Sequence, residues 1–153
     1  MQKITPFLWF DGTLEEAVNF YVSIFPDAKV LSMNRQGPSG PVFSATFQLA
    51  GSTFMGLNGG PMYKFSEAIS FFVSCETQAE IDSLWDQLLA GGGTPTQCGW
   101  LKDRFGLSWQ VVPSALGELL GGSDPARSQR VMQAMMKMVK FDIQGLKDAA
   151  AQP

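Results

Sequence analysis

One glutamine lies inside an apolar and aromatic stretch, residues 98–113, which reads CGWLKDRFGLSWQVVP. Two of the four tryptophans of the chain, Trp100 and Trp109, fall in the same stretch. A buried amide must find hydrogen-bond partners in the protein or in a ligand, and aromatic side chains often line pockets for flat or apolar ligands. We therefore interpret Gln110 either as an amide that orients a ligand or as an amide bonded to backbone. The tryptophans accordingly line a pocket or pack in the core.

Other chemistries find little support in the residue types. The chain has no histidine, which excludes histidine-based metal sites, Ser-His-Asp triads and Cys-His dyads. Asp11 and Asp103 lie near strand ends, where turn capping explains them better than acid–base chemistry. Cys98 has no histidine to activate it and is expected to be a small core residue. The sequence therefore identifies no catalytic residue.

A glycine-rich segment, GGGTP at residues 91–95, superficially resembles a cofactor-binding loop. It follows a predicted helix rather than a strand, and it lacks the G-x-G-x-x-G spacing. The end of a helix explains these glycines better. We therefore predict no site for a nucleotide or S-adenosylmethionine, and no cofactor.

A hairpin is predicted to position the glutamine. Its strands are residues 99–102 and 107–112, and its turn runs from Asp103 to Gly106, where aspartate bonds its own backbone and glycine accepts a positive φ. Because side chains alternate along a strand, only one of Trp109 and Gln110 can face a pocket. We predict that Gln110 faces it and that Trp109 packs behind.

The order strand, helix, three strands is predicted twice along the chain. Sliding the sequence by about 64 residues places Thr13 and Glu16, a predicted capping box, on Thr77 and Glu80, a second one. A slide of about 55 residues places Met55 on Gln110. One such unit cannot bury its sheet face alone, so we expect a cavity between two curved sheets. The predicted elements are strands at 4–10, 29–35, 43–49, 52–57, 68–75 and 94–97, the two hairpin strands, and helices at 13–25 and 77–89.

This arrangement resembles the vicinal oxygen chelate superfamily, the glyoxalase/bleomycin-resistance/dioxygenase fold. The sequence contains the segments ITPFLWFDGTLEEAVNFYVSIFP, NGGPMYKFSEAISFFVSCETQAEIDSLWDQL and CGWLKDRFGLSWQVVP. These segments resemble the PhnB-like group of this superfamily, whose members often carry the name 3-demethylubiquinone-9 3-methyltransferase. The resemblance covers about residues 1–143 and implies an α+β fold, in which two βαβββ modules form a curved mixed sheet, followed by C-terminal helices.

The resemblance also implies where a metal would be bound, because metal-using members take ligands from the first and last strands of each module. Only Gln110 among those positions could coordinate, whereas divalent cations take several charged or imidazole donors. We therefore expect no metal. The implied positions hold Ile4 or Thr5, Met55, Ala68 or Ser70, and Gln110.

Two functions remain open at this point. The first is a metal-independent small-molecule-binding protein with an aromatic-lined pocket, as in resistance-type members of the fold. The second is an enzyme that acts on a small aromatic or quinone-like substrate through Gln110. In either case we expect the ligand site to take residues from both modules, namely Trp9, Met55, Trp100, Trp109 and Gln110.

The predicted domain combines the modules, residues 1–113 (about 1–58 and 68–113), with a helical extension over 114–153. Three helices are predicted here: one begins at Ser114, one at Pro125, and one at Asp142, which is a candidate cap. Four of the eight methionines lie between Met132 and Met138. Methionine suits adaptable apolar interfaces, so the stripe from Val131 to Val139 predicts a homodimer.

Composition limits the partners and the compartment. The chain has 153 residues, of which 45% are hydrophobic, enough for a sizeable core. A net charge of −3 without a basic cluster argues against nucleic acid. No run approaches the roughly 18 apolar residues of a membrane span, and the first residues lack signal-peptide features. Cys75 and Cys98 are therefore predicted to be free thiols of a cytoplasmic protein.

Overall fold

The computed structural model describes residues 2–152 and divides them into two compact units, one ending at Phe65 and the other beginning at Ser66. Each unit contains a strand, a helix and three further strands, and the second unit also carries three C-terminal helices. The predicted α+β class and the repeated βαβββ module are confirmed.

The first unit is a four-stranded mixed sheet with a helix on one face. Its strands lie in the order β1-β4-β3-β2, with β1 parallel to β4 and the other pairs antiparallel. Apolar residues of the helix are buried against apolar residues of β1, β3 and β4, so this face forms the core of the unit. The elements are β1 (Phe7–Phe10), α1 (Leu14–Ile24), β2 (Lys29–Arg35), β3 (Val42–Leu49) and β4 (Ser52–Asn58).

Two local predictions for this unit are wrong. The first strand begins at Phe7 rather than Ile4: the carbonyl of Pro6 accepts the Met55 N–H at 2.9 Å, but proline has no N–H of its own for the ladder. The side chain of Thr13 makes no cap hydrogen bond. Asn58 Oδ1 accepts the N–H of Leu14 instead, at 3.0 Å, so a residue distant in sequence caps this helix.

The second unit repeats the same topology, with strand order β5-β8-β7-β6 and β5 parallel to β8. Here the predicted cap is confirmed, because Thr77 Oγ1 accepts the N–H of Glu80 at 3.1 Å. The strand predicted from residue 68 begins later because Ser66 accepts the N–H groups of Ala68 and Ile69 in a turn. The elements are β5 (Phe71–Cys75), α2 (Gln78–Leu89), β6 (Thr94–Pro95), β7 (Trp100–Lys102) and β8 (Ser108–Pro113).

The C-terminal helices are α3 (Ala115–Leu120), α4 (Pro125–Met136) and α5 (Ile143–Ala151), and they pack on one another. The segment before α5 is tied to the module by the N–H groups of Cys98 and Gly99, which donate to Met138 and Val139. Asp142 occupies the predicted N-cap position of α5, but its side chain makes no cap hydrogen bond. The N–H of Ile143 donates to Gln78 Oε1 at 2.8 Å instead.

None of the helices within residues 2–152 is long and apolar enough to cross a membrane. The longest, α2 and α4, have 12 residues each, whereas a spanning helix needs about 20.

Candidate functional site

The two faces of the second sheet differ in what covers them. Helix α2 packs on one face, where Leu101, Trp109 and Val111 are buried. Because side chains alternate, their neighbours Trp100 and Gln110 point to the opposite face. We call that second side the open face; it carries Phe72, Ser74, Trp100, Lys102, Ser108, Gln110 and Val112.

A polar amide lies between two aromatic side chains on the open face. In the strand register Gln110 of β8 is opposite Phe72 of β5 and also opposite Trp100 of β7. Residues paired in this way are neighbours on one face and form one row across the sheet. Phe72 is 63% exposed, and Trp100 and Gln110 are half-buried. The row can therefore be reached by a ligand.

The hydrogen bonds of Gln110 leave part of its amide unused. Its Nε2 donates to Ser70 Oγ at 3.0 Å. No donor from residues 2–152 reaches Gln110 Oε1, and the Ser70 hydroxyl keeps its own proton to donate. The pair can therefore accept one hydrogen bond from a ligand and donate another. Of the two alternatives that the sequence offers, the amide bonded to backbone is wrong, because its partner is the side chain of Ser70. The amide that orients a ligand stays a prediction.

Trp109 lies on the other side of the same strand, behind Gln110. It is 2% exposed, and its Nε1–H donates to Asp103 Oδ2 at 2.9 Å. The other carboxylate oxygen, Oδ1, accepts the N–H groups of Phe105 and Leu107. Asp103 is therefore a turn-capping residue, as its position in the sequence predicts, and it also holds the indole that supports the sheet.

The structure places Trp9 and Met55 in the first unit, on the face opposite α1. Met55 is paired with Phe7 on β1 and Thr46 on β3, a row equivalent to the one around Gln110. Trp9 Nε1 donates to the carbonyl of Gly60 at 2.9 Å. A thioether is a weak hydrogen-bond acceptor, so the row around Met55 offers apolar surface rather than a polar anchor.

Sequence reasoning missed two residues of the second unit. Phe72 was not among the expected pocket residues, although alternation along residues 70–75 separates it from buried Cys75 and the register places it beside Gln110. Ser108 was also missed. Its Oγ is buried and has no hydrogen-bond partner among the residues described, on the same face as Gln110. A ligand or water would satisfy this hydroxyl.

The two cysteines are free thiols. Burial, together with the nearby carboxylates of Glu80 and Glu76, raises the pKa of Cys75 to about 12. A thiol with a raised pKa stays protonated at neutral pH and is a poor nucleophile. Cys98 is half-buried, and its Sγ lies 3.6 Å from the carbonyl oxygen of Met135. Neither cysteine lies in the row around Gln110.

The residues at the positions implied for metal ligands do not fit a divalent cation. Within residues 2–152 no group of three or more histidine, cysteine, aspartate or glutamate side chains could hold a metal ion. Met55 supplies a thioether, and Gln110 points its amide N–H, not its oxygen, at Ser70. A neutral amide oxygen and a hydroxyl do not replace the charged or imidazole donors that such ions take.

The fold and the sequence both have known relatives. The family model described as 3-demethylubiquinone-9 3-methyltransferase matches residues 2–112. A solved structure from Bacillus cereus, titled putative 3-demethylubiquinone-9 3-methyltransferase, PhnB protein, is 36% identical and has a TM-score of 0.69. The match covers 74% of this chain and 100% of that chain. No curated protein is significantly similar to the chain.

Two more distant structures share the fold alone. A glyoxylase/bleomycin resistance protein/dioxygenase domain from Frankia is 17% identical, with a TM-score of 0.50, over 74% of this chain and 92% of that chain. A fosfomycin resistance protein from Listeria monocytogenes, complexed with Mn(II) and sulfate, is 14% identical, with a TM-score of 0.54, over 72% of this chain and 91% of that chain. Its metal is a property of that protein. The chain therefore belongs to the 3-demethylubiquinone-9 3-methyltransferase (PhnB-like) family and has the glyoxalase/bleomycin resistance/dioxygenase fold.

Proposed function

We propose that this protein binds a small, neutral, aromatic molecule on the open face of the second sheet, without a metal. The observation that carries the proposal is the row in which Gln110 lies between Phe72 and Trp100. Aromatic side chains offer a large apolar surface to a flat ring, and the amide between them supplies direction through hydrogen bonds. Trp109 supports the row from behind.

The polar groups of the row favour a neutral ligand. Gln110 Oε1 is an acceptor for a ligand hydroxyl, and the Ser70 hydroxyl is a donor for a ligand oxygen. Lys102, on the same face, forms an ion pair with Glu67, so its charge is already matched. A phenolic hydroxyl can take both hydrogen bonds. We therefore use phenol as the simplest probe.

In the first unit, Trp9 and Met55 are proposed to supply a second, purely apolar ligand-contacting surface. Support comes from their place on the face opposite α1 and from the exposure of the neighbouring Phe7, at 53%. The indole N–H of Trp9 is already bonded to Gly60. These residues would therefore contribute contact area rather than hydrogen bonds.

Metal independence is part of the proposal. It is supported by the donor set, in which the only amide at an implied ligand position is bonded through its N–H to Ser70. The alternative is an enzyme that acts on an aromatic or quinone-like substrate, and its support is the name of the family. The three residues of the row, Phe72, Gln110 and Trp100, supply neither a general base nor a nucleophile, so binding is the function that the geometry favours.

The test is phenol binding followed by two-dimensional NMR. Phenol should shift the Gln110 side-chain amide and the Trp100 indole N–H, and it should leave the Trp109 indole, which is bonded to Asp103, unshifted. Gln110→Leu should weaken phenol binding about tenfold, the value of one or two hydrogen bonds. Gln87→Leu, on α2 across the sheet, is the matched control and should bind as the parent does.

Two outcomes would contradict the proposal. Equal phenol affinity in Gln110→Leu and Gln87→Leu would show that the amide does not hold the ligand. Conversion of phenol to anisole when S-adenosylmethionine is added would support the enzyme instead, with the methyl group moving from sulfur to the phenol oxygen and with S-adenosylhomocysteine and the phenol proton released. Recovery of unchanged phenol supports binding.

A homodimer and a cytoplasmic location complete the proposal. The apolar stripe predicted from Val131 to Val139 is buried at one position and exposed at others. Val131 is fully buried, whereas Met132 and Met136 of α4 are exposed. Val139, which follows the end of α4, is also exposed. An exposed run of flexible apolar side chains favours contact with a second copy. Two free thiols are typical of a reducing compartment.

A further inference from the structure

A cavity of about 300 Å³ lies beside the row of Gln110, between strands β5 and β8 and helix α3. Ligand pockets occupy about 300–1,000 Å³, and an apolar cavity of about 150 Å³ already holds benzene. This cavity therefore has room for a short chain or a second ring. It is lined by Phe72, Ser74, Val112, Pro113, Ser114, Leu116, Gly117 and Leu120.

The cavity continues the surface of the proposed binding site. Phe72 belongs both to the row and to the cavity wall. Ser74 and Val112 are the next residues along the same face and are paired with each other. The surface therefore runs from a polar end at Gln110 to an end where none of the described lining residues is charged.

The far wall comes from a part of the chain outside the family match. That match ends at residue 112, and α3 follows it, supplying Leu116, Gly117 and Leu120. Val112 points to the open face, is only 5% exposed and lines the cavity together with this segment. The helical extension thus adds an apolar enclosure to a face that the module alone would leave to solvent.

We infer that the cavity is a subsite for an apolar substituent of the ligand, so that this chain binds alkyl-substituted aromatic molecules with a neutral hydroxyl head. The inference rests on the proposed function, since the head is placed at Gln110. Each methylene group of an alkyl chain that is buried between apolar walls should increase the affinity of the ligand about fourfold. Charged or strongly polar tails would lose their hydration there.

Gly117 offers a clean way to fill the cavity. Apart from its two chain neighbours and the backbone of its own helix, a Cβ added at this residue would have no heavy atom within 4 Å, and its φ lies outside the left-handed region. Gly117→Leu can therefore place a side chain in the space without a clash with backbone. Gly117→Ala is the matched control, because it makes the same helix-favouring change and leaves most of the space empty.

The experiment uses three probes, phenol, butylbenzene and 4-butylphenol, whose affinities are measured by NMR titration of the full chain. Butylbenzene should shift the amides of Leu116 and Gly117, and 4-butylphenol should bind at least tenfold more tightly than phenol. In Gly117→Leu, butylbenzene binding should be lost and 4-butylphenol should bind no better than phenol. Phenol affinity should stay unchanged in both variants, and Gly117→Ala should bind all three as the parent does.

The outcomes separate this inference from the proposed function. If phenol binds through Gln110 but Gly117→Leu leaves 4-butylphenol unaffected, the subsite is wrong and the function stands. If butylbenzene alone binds, the cavity is a separate apolar site and the link to Gln110 is overturned. If no probe binds, both fail. The oligomeric state of Gly117→Leu is measured by light scattering without probe. A change would show that a second copy of the chain occupies the cavity, and this result would also overturn the inference.

Discussion

The indole N–H of Trp109 donates to the buried carboxylate of Asp103 across 2.9 Å, within the hairpin that carries Gln110. The same carboxylate accepts the backbone N–H groups of Phe105 and Leu107. One side chain therefore closes the turn and fixes the tryptophan on the α2 side of the sheet. This leaves the next residue, Gln110, to face the opposite way.

Asp103→Ala should destabilise the second unit by roughly 2–4 kcal/mol, because it leaves a buried indole N–H and two turn N–H groups without their acceptor. Urea unfolding followed by tryptophan fluorescence measures the change. Asp11→Ala, at an exposed aspartate of the first unit, should cost less than about 0.5 kcal/mol. Equal costs for the two substitutions would show that the hydrogen bonds of Asp103 contribute nothing.

Gly99 and Gly106 both have positive φ, +81° and +91°, but their surroundings differ. A Cβ at Gly99 would lie 2.4 Å from the Phe141 ring, whereas none would be within 4 Å at Gly106. Gly106→Ala should cost about 1–2 kcal/mol from backbone strain alone. Gly99→Ala should cost about 1–3 kcal/mol more, from overpacking. Thermal melts of the two variants give the difference, and similar melting temperatures would contradict the close contact.

Cys75 should resist alkylation in the folded protein, because burial raises the pKa of its thiol to about 12 and only the thiolate reacts. At neutral pH, iodoacetamide should modify Cys98 first and reach Cys75 only after unfolding. Mass spectrometry of timed samples locates the label. Modification of both cysteines at equal rates would show that Cys75 is accessible.

The same thiol should make stability depend on pH in the alkaline range. Its pKa is higher in the folded chain than the ordinary value of 9.0, so the unfolded chain loses its proton first. This contribution is fully present below pH 9 and is lost as the pH rises toward 12. Cys75→Ala should flatten the fall in melting temperature above pH 9, and an unchanged slope would contradict the assignment.

Metal removal should leave the protein folded and able to bind phenol. The implied ligand positions offer a thioether, a hydroxyl and an amide whose N–H is bonded to Ser70. Metal analysis of protein purified without a metal-affinity tag should find no stoichiometric ion, and the melting temperature should be equal with and without a strong chelator. Near-stoichiometric zinc, nickel, manganese or iron, or a melt several degrees lower in chelator, would refute metal independence.

The exposed methionines of α4 should hold two copies together. Light scattering at micromolar concentration should give twice the mass of 16.7 kDa. Met132→Glu combined with Met136→Glu should weaken the dimer at least tenfold, because buried charges without partners oppose association. Gln133→Glu, exposed on the same helix, should leave the mass unchanged. A monomer in the unmodified protein would rule the dimer out.

Features that depend on neighbouring residues could be predicted from the sequence. The cap at Thr77, the turn at Asp103 and the opposite orientations of Trp109 and Gln110 all follow from local geometry. The repeated module could be predicted for the same reason, since helix and strand periodicities can be recognised within short stretches of sequence. These local rules predicted the fold class and the face of the strand to which the amide points.

Only the tertiary structure decided what surrounds that amide. Ser70 lies 40 residues before Gln110, and Phe72 reaches it through the parallel pairing of β5 with β8. Asn58 replaces the expected cap of α1 from 44 residues away. The cavity wall depends on where α3 packs after residue 113. Such contacts join segments distant in sequence, and their partners are selected by the packing of whole elements, which no local pattern encodes.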